Sequence, residues 1–226
     1  SLNSKSGEKN LPNLITGQIV YFLNRETSES AMSSAIPYKV KWLLKLYSLI
    51  WLLALPFLAL NKRLRPGFVQ RLLLKRPAYN CDFWLQAASA GEAAMAKEIV
   101  NNFQTSEPVN FLVTTWTKQG LDILSTCRPG QNITLQHAYC PFDLPWIMSR
   151  GLKLFKPRAV ILLETELWPG LLFSCKKSDT EVLLLNARLN RKSLARYAFF
   201  SEFWQALAPD QICAVSELEM QRYKLI

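Results

Sequence analysis

The chain has 226 residues, enough for one ordinary domain with an appendage and a substantial core, and too few for two full domains. Lys and Arg outnumber Asp and Glu by 27 to 17, a formal charge of +10, which admits an anionic membrane surface or a nucleic acid as partner. A single histidine and five cysteines without a CxxC pair exclude a His/Cys zinc cluster. They point to reduced thiols in a cytoplasmic setting.

Residues 1–40 are polar, with turn-like or disordered stretches (KSGEKN, RETSES) around a short apolar ITGQIVYFL, and no function is legible there. Met32 stands shortly before a basic and apolar segment and is expected to lie close to a natural start, which makes the preceding residues an extension. Residues 41–62 read as a membrane anchor or interfacial helix. WLLKLYSLIWLLALPFLAL, residues 42–60, just matches a hydrocarbon core at about 1.5 Å per residue. Lys45 is placed to snorkel, Pro56 to kink the last turn, and Trp42 and Trp51 to sit at an interface. The alternative is a buried core helix. Cations flank this run, in YKVKWLLK and NKRLRPGFVQRLLLKR, instead of alternating with aromatics along a groove, so a membrane surface is expected and nucleic acid is not. The basic NKRLR predicts that the downstream domain stays on the cytoplasmic side.

From residue 82 onward, short apolar runs alternate with helix-like segments in six βα units. They are DFWLQAA and GEAAMAKEIVNNF, VNFLVTT and TKQGLDILS, ITLQHAY and DLPWIMSRGLKLF, RAVILLE and WPGLLFSCKK, EVLLLNA and RKSLARYAFFSEFWQAL, QICAVS and ELEMQRYKL. The pattern predicts an α/β fold, a Rossmann-like parallel sheet with helices on both faces, over residues 63–226. No GxGxxG or GxxxxGK[ST] loop is present, so no dinucleotide or P-loop cofactor is expected. His137, inside ITLQHAY, is expected to be a core or strand-end residue.

The polar or small clusters that end the runs should share one edge of the sheet: 89–92, 114–120, 139–143, 164–170 and 186–190. Glu92 follows Gly91 in the first turn of a helix. There it serves either as a base within reach of a substrate hydroxyl or as a complement to the helix dipole. Glu164 and Glu166 flank Thr165 beside Trp168, either as sugar-hydroxyl ligands or as a helix cap and an ion-pair partner for Arg188.

Taken together, SAGE (89–92), TTWTKQG (114–120), YCPFDLP (139–145), ETELWPG (164–170) and NARLNRKS (186–193) resemble, in order and spacing, the N-terminal half of bacterial Kdo transferases. These enzymes add 3-deoxy-D-manno-octulosonic acid to the lipid A precursor in lipopolysaccharide biosynthesis. The resemblance covers about Val40 to the end, and ETELWP with NARL is its most specific part. It implies the N-terminal, acceptor-binding domain of a two-domain GT-B glycosyltransferase preceded by a membrane-associated helix. It also implies inverting transfer from CMP-Kdo as donor substrate, with no cofactor and no metal, at the cytoplasmic side of the inner membrane. The catalytic base of the SxGE motif falls on Glu92. Ser89, Gly91, Thr115, Lys118, Glu164, Glu166, Trp168, Asn186 and Arg188 fall on substrate-binding positions, with Lys118 and Arg188 either contacts for acceptor phosphates or plain surface charge.

The chain departs from the family where HxVSxGE reads QAASAGE, TPTG reads TKQG and ELWPN reads ELWPG, and it lacks the Gly-rich RYG element before the first strand. It stops at Ile226, where the family continues into a C-terminal donor-binding domain, so this segment alone is not expected to be active. A non-catalytic membrane-associated binding domain and another GT-B glycosyltransferase are the alternatives.

Overall fold

The computed structural model describes Gly17, Ile19 and residues 36–61, 64–74 and 80–226. Apart from Gly17 and Ile19, the expectations for residues 1–35, including Met32, lie outside the described residues. The six predicted runs form β1 (Phe83–Ala87), β2 (Val109–Thr115), β3 (Ile133–Tyr139), β4 (Ala159–Leu163), β5 (Glu181–Ala187) and β6 (Gln211–Ala214). All pair in parallel, in the order β3-β2-β1-β4-β5-β6, so every strand ends at the same edge and the order reverses between β1 and β4. Central strands β1 and β4 are buried at every position, as a sheet covered on both faces requires.

Alternating side chains divide the core between the two faces. Phe83, Leu85, Phe111, Val113, Ile161 and Leu163 face α3 (Ala90–Asn102) and α4 (Lys118–Leu124), and Ile19 is fully buried in this layer. Trp84, Leu112, Val160, Leu162 and Leu184 face the other layer. It contains α5 (Pro145–Phe155), α6 (Pro169–Ser178), α7 (Arg191–Ala198), α8 (Ser201–Ala206), α9 (Glu217–Tyr223) and a long N-terminal helix, α1 (Tyr38–Leu60). The single helix expected over 191–207 is two. It breaks at Phe199–Phe200, and the turn redirects α8 so that Phe203 is buried and Trp204 meets Tyr197 edge-on.

By length and composition α1 could cross a membrane. Here one stripe of it packs on the domain: Val40 and Leu44 are buried, and Tyr47, Trp51, Leu55 and Leu58 are half-buried. The opposite side leaves Trp42, Leu46, Leu49, Leu53 and Phe57 exposed, Phe57 to 74%. Trp51 therefore departs from its expected interfacial place: it turns inward and stacks on Trp116, while Trp42 stays outside.

Two further expectations are corrected. His137 is exposed, because it lies on β3, the strand at the sheet's edge. Arg71, counted among the basic flank, is 0% exposed in α2 (Phe68–Arg71). Its guanidinium donates to the carbonyls of Cys140 (3.1 Å) and Trp116 (2.8 Å) and lies over the rings of Tyr139 and Trp116. Planar, multiply donating and easily stacked, this cation survives burial where a lysine would not. It ties the loop after β2 to the loop after β3.

The thiols are free, with Cys81, Cys140 and Cys175 buried and Cys127 and Cys213 partly so.

Candidate functional site

The carboxyl edge of a parallel sheet opens a crevice where the strand order reverses, here between the β1–α3 and β4–α6 turns. Glu92 lies at this point. Ser89 caps α3, and its hydroxyl accepts from the Glu92 amide (3.2 Å) while donating to Glu92 Oε1 (2.8 Å). Oε2 accepts from the amide of Ala88 at 2.8 Å. SAGE is thus a capping box in which the third helical residue reaches back to an amide before the cap. Each carboxylate oxygen keeps a lone pair, and the side chain is nearly closed off, the residue being 6% exposed. Burial raises the Glu92 pKa, its hydrogen bonds oppose that rise, and repulsion from Glu164 adds to it.

Glu164 and Glu166 come from the turn after β4. Burial, reinforced by Glu92 and Glu164, pushes the Glu166 carboxyl up to about 7. Its Oε2 accepts from Trp168 Nε1 at 2.7 Å. The three carboxylates therefore form one electrostatically linked group, as their mutual repulsion records. Two residues at the ends of the neighbouring strands, Glu164 (φ 56°) and Asn186 (φ 52°), adopt the left-handed conformation, which costs a residue with a side chain roughly 1–3 kcal/mol and concentrates at functional positions. Asn186 Nδ2 contacts Met95 Sδ at 3.6 Å, one turn beyond Glu92 on α3. Its Oδ1 is buried without a partner among the described residues.

The other predicted site residues are less central. Thr115 is fully buried behind Gly120, where any side chain on residue 120 would collide with its hydroxyl. Lys118 and Arg188 are exposed, and among the described residues no ion pair joins either to the carboxylates. The alternative of a Glu–Arg188 pair is thus not realised. Arg188 contributes its backbone carbonyl, which accepts from the hydroxyls of Thr165 and Tyr223. Gly91 is exposed, and among the described residues a methyl group there would meet only Ser89 Oγ, at 3.8 Å, so their packing does not demand a glycine.

Neither Glu164 nor Glu166 caps α6. Asp143, at the end of the loop after β3, accepts from the amides of Gly170 (2.8 Å) and Leu171 (2.7 Å) and from the hydroxyl of Tyr47 on α1 (2.7 Å). Complete burial pushes its carboxyl up to about 7, against the pull of these three donors. Trp116 stacks on both Trp51 and Trp168, with centroids 6.2 and 5.4 Å away. Asp143, Tyr47, Trp116 and Arg71 were not among the predicted site residues. The one available signal was an acid inside the apolar CPFDLPW, which a core does not accept without donors.

Residues 61–226 match the family model of 3-deoxy-D-manno-octulosonic-acid transferase, its N-terminal part. Among similar proteins, the 3-deoxy-D-manno-octulosonic acid transferase of Rickettsia bellii is 34% identical over 62% of this chain and 33% of its own length. That of Rickettsia typhi is 30% identical over 71% of this chain and 34% of its own. The Haemophilus influenzae enzyme is 29% identical over 76% of this chain and 42% of its own. The chain thus spans between a third and somewhat under half of the relatives it matches.

Proposed function

The chain belongs to the 3-deoxy-D-manno-octulosonic-acid transferase family, and on that premise we propose that it is the acceptor-binding part of an enzyme that transfers Kdo from CMP-Kdo to a lipid A precursor. The observation that carries the reading is the buried Glu92, whose carboxyl pKa burial raises, at the point where the strand order reverses. A base is most effective when its pKa lies near the working pH, and burial moves a carboxylate in that direction.

In the proposed step an acceptor hydroxyl donates to a free lone pair of Glu92. Its oxygen attacks the anomeric carbon of Kdo, its proton passes to the carboxylate, and the bond to the phosphate of CMP breaks with the electron pair leaving on CMP. Attack opposite the leaving group inverts the configuration. The cap formed by Ser89 and Ala88 holds the carboxylate in place before substrate arrives, so little is lost to reorganisation. Glu164, Glu166 and Asn186 Oδ1, which has no partner among the described residues, offer acceptors for sugar hydroxyls at the same edge. The exposed Lys118 and Arg188 serve the acceptor phosphates. CMP-Kdo is a substrate, and the proposed reaction uses no resident cofactor or metal. Most donor contacts fall to a second, C-terminal domain.

The exposed apolar side of α1 supports seating at the cytoplasmic face of the inner membrane. With Val40, Leu44, Tyr47 and Trp51 committed to the domain, the helix lies in the interface plane and a phosphorylated glycolipid acceptor is met at the surface that holds it. The test is an assay of the product of the complete open reading frame, in mixed micelles, for transfer of labelled Kdo from CMP-Kdo to a lipid A precursor. Label in the lipid fraction is expected. If none appears while CMP-Kdo stays intact, the chain is a binding domain in which Glu92 serves only as a cap.

A further inference from the structure

Two routes lead from α1 to the turn that carries Glu166. In the first, the Tyr47 hydroxyl donates to Asp143 Oδ2 at 2.7 Å, and the same carboxylate receives the amides of Gly170 and Leu171 in the first turn of α6. Trp168 is the N-cap of that helix, so its backbone moves with that turn. In the second, Trp51 of α1 stacks on Trp116 with its plane inclined by 22°, and Trp116 stacks on Trp168 at 23°. Both routes end at Trp168, whose indole donates to Glu166. Gly170 leaves no slack, because a Cβ there would run into the Asp143 carbonyl.

We propose that α1 sets the geometry of the acceptor site, with Tyr47 and Asp143, backed by the Trp51–Trp116 stack, acting as positioning residues for Trp168 and Glu166. The helix whose outer side is apolar is then mechanically part of the site, and its seating is felt at Glu166. This rests on the reading of Glu166 as an acceptor-binding group. Non-additivity between substitutions in α1 and at Glu166 measures the coupling.

The experiment uses the product of the complete open reading frame and the mild substitution Tyr47→Phe, which keeps the ring and removes one donor. Hydrogen exchange read by mass spectrometry over the peptide holding Gly170 and Leu171 is expected to quicken by up to about tenfold, the factor for one lost ordinary hydrogen bond, with the β5 peptide unchanged. In the transfer assay the acceptor KM is expected to rise about tenfold with kcat altered less than about twofold. In a Glu166→Gln background the same substitution should then add nothing. Unchanged exchange at 170–171, equal acceleration everywhere, or an effect that persists in full beside Glu166→Gln overturns the proposal. If the protein transfers no Kdo at all, the functional reading fails, and local exchange at 170–171 alone decides the coupling.

Discussion

Ser89 and Glu92 bond each other twice: the Ser89 hydroxyl accepts from the Glu92 amide and donates to the Glu92 carboxylate. A capping box normally serves only to satisfy the free amides of a helix start. Here the same bonds also orient a buried carboxylate at the reversal point of the sheet. The structural and chemical roles are therefore joined in one side chain, and substitutions must be chosen to separate them.

Gly91 offers one such separation. Since among the described residues a methyl group would meet only Ser89 Oγ at 3.8 Å, Gly91→Ala should leave stability unchanged or raise it by up to about 1 kcal/mol through helix propensity. If residue 91 borders the acceptor path, the same change lowers kcat/KM for the acceptor by about tenfold or more. Urea unfolding beside the transfer assay checks both, and a variant that is fully active removes Gly91 from the site.

Arg71 makes a prediction about stability. Arg71→Met keeps much of the volume but strands the carbonyls of Trp116 and Cys140, at a cost of about 2–4 kcal/mol. Arg71→Lys, unable to reach both carbonyls and stack at once, should cost about 1–3 kcal/mol. Chemical denaturation measures both. A lysine variant as stable as wild type would mean that the fork geometry is irrelevant.

The pH dependence of stability follows from Asp143, whose ordinary pKa of 3.8 is raised by burial to about 7. An acid raised on folding holds its proton more tightly in the folded chain. Between about 4 and 7 the folded state therefore carries more protons, and this residue's contribution to stability falls as pH rises, with the loss complete above about 7. Glu166 acts in the same direction. Asp143→Asn should lower stability at about pH 5, where an acceptor for Gly170 or Leu171 is lost, and should also flatten the fall between about pH 5 and pH 8. Unfolding midpoints at the two pH values test this, and an equal slope in wild type and variant would contradict the assignment.

The sheet was legible because each strand is a short apolar run ended by polar or small residues. EVLLLNA became β5 at its expected bounds, and DFWLQAA became β1 with one residue trimmed at each end. The site edge was legible for a topological reason, since parallel strands bring Ser89, Glu164 and Asn186 to one side however far apart they lie in the chain. Other features depend on which of several equivalent residues turns inward. Helix α1 is apolar on every side, so its periodicity could not separate Trp51, stacked inside, from Trp42, exposed at 57%. Asp143 caps a helix 27 residues away, and no local pattern marks such a cap. Nothing in its local sequence sets Arg71 apart, because the rings and carbonyls it meets come from distant loops.

The most direct measurement is Kdo transfer by the product of the complete open reading frame carrying Glu92→Gln, with unfolding measured on the same protein. Glutamine preserves the size of the side chain and an acceptor for the Ala88 amide, so the loss of stability should stay near 1 kcal/mol. Without a carboxylate to take the hydroxyl proton, kcat should fall by a factor of about 10²–10⁴. A Glu92→Gln protein that transfers Kdo at close to the wild-type rate would show that Glu92 is a helix cap and that the base lies elsewhere.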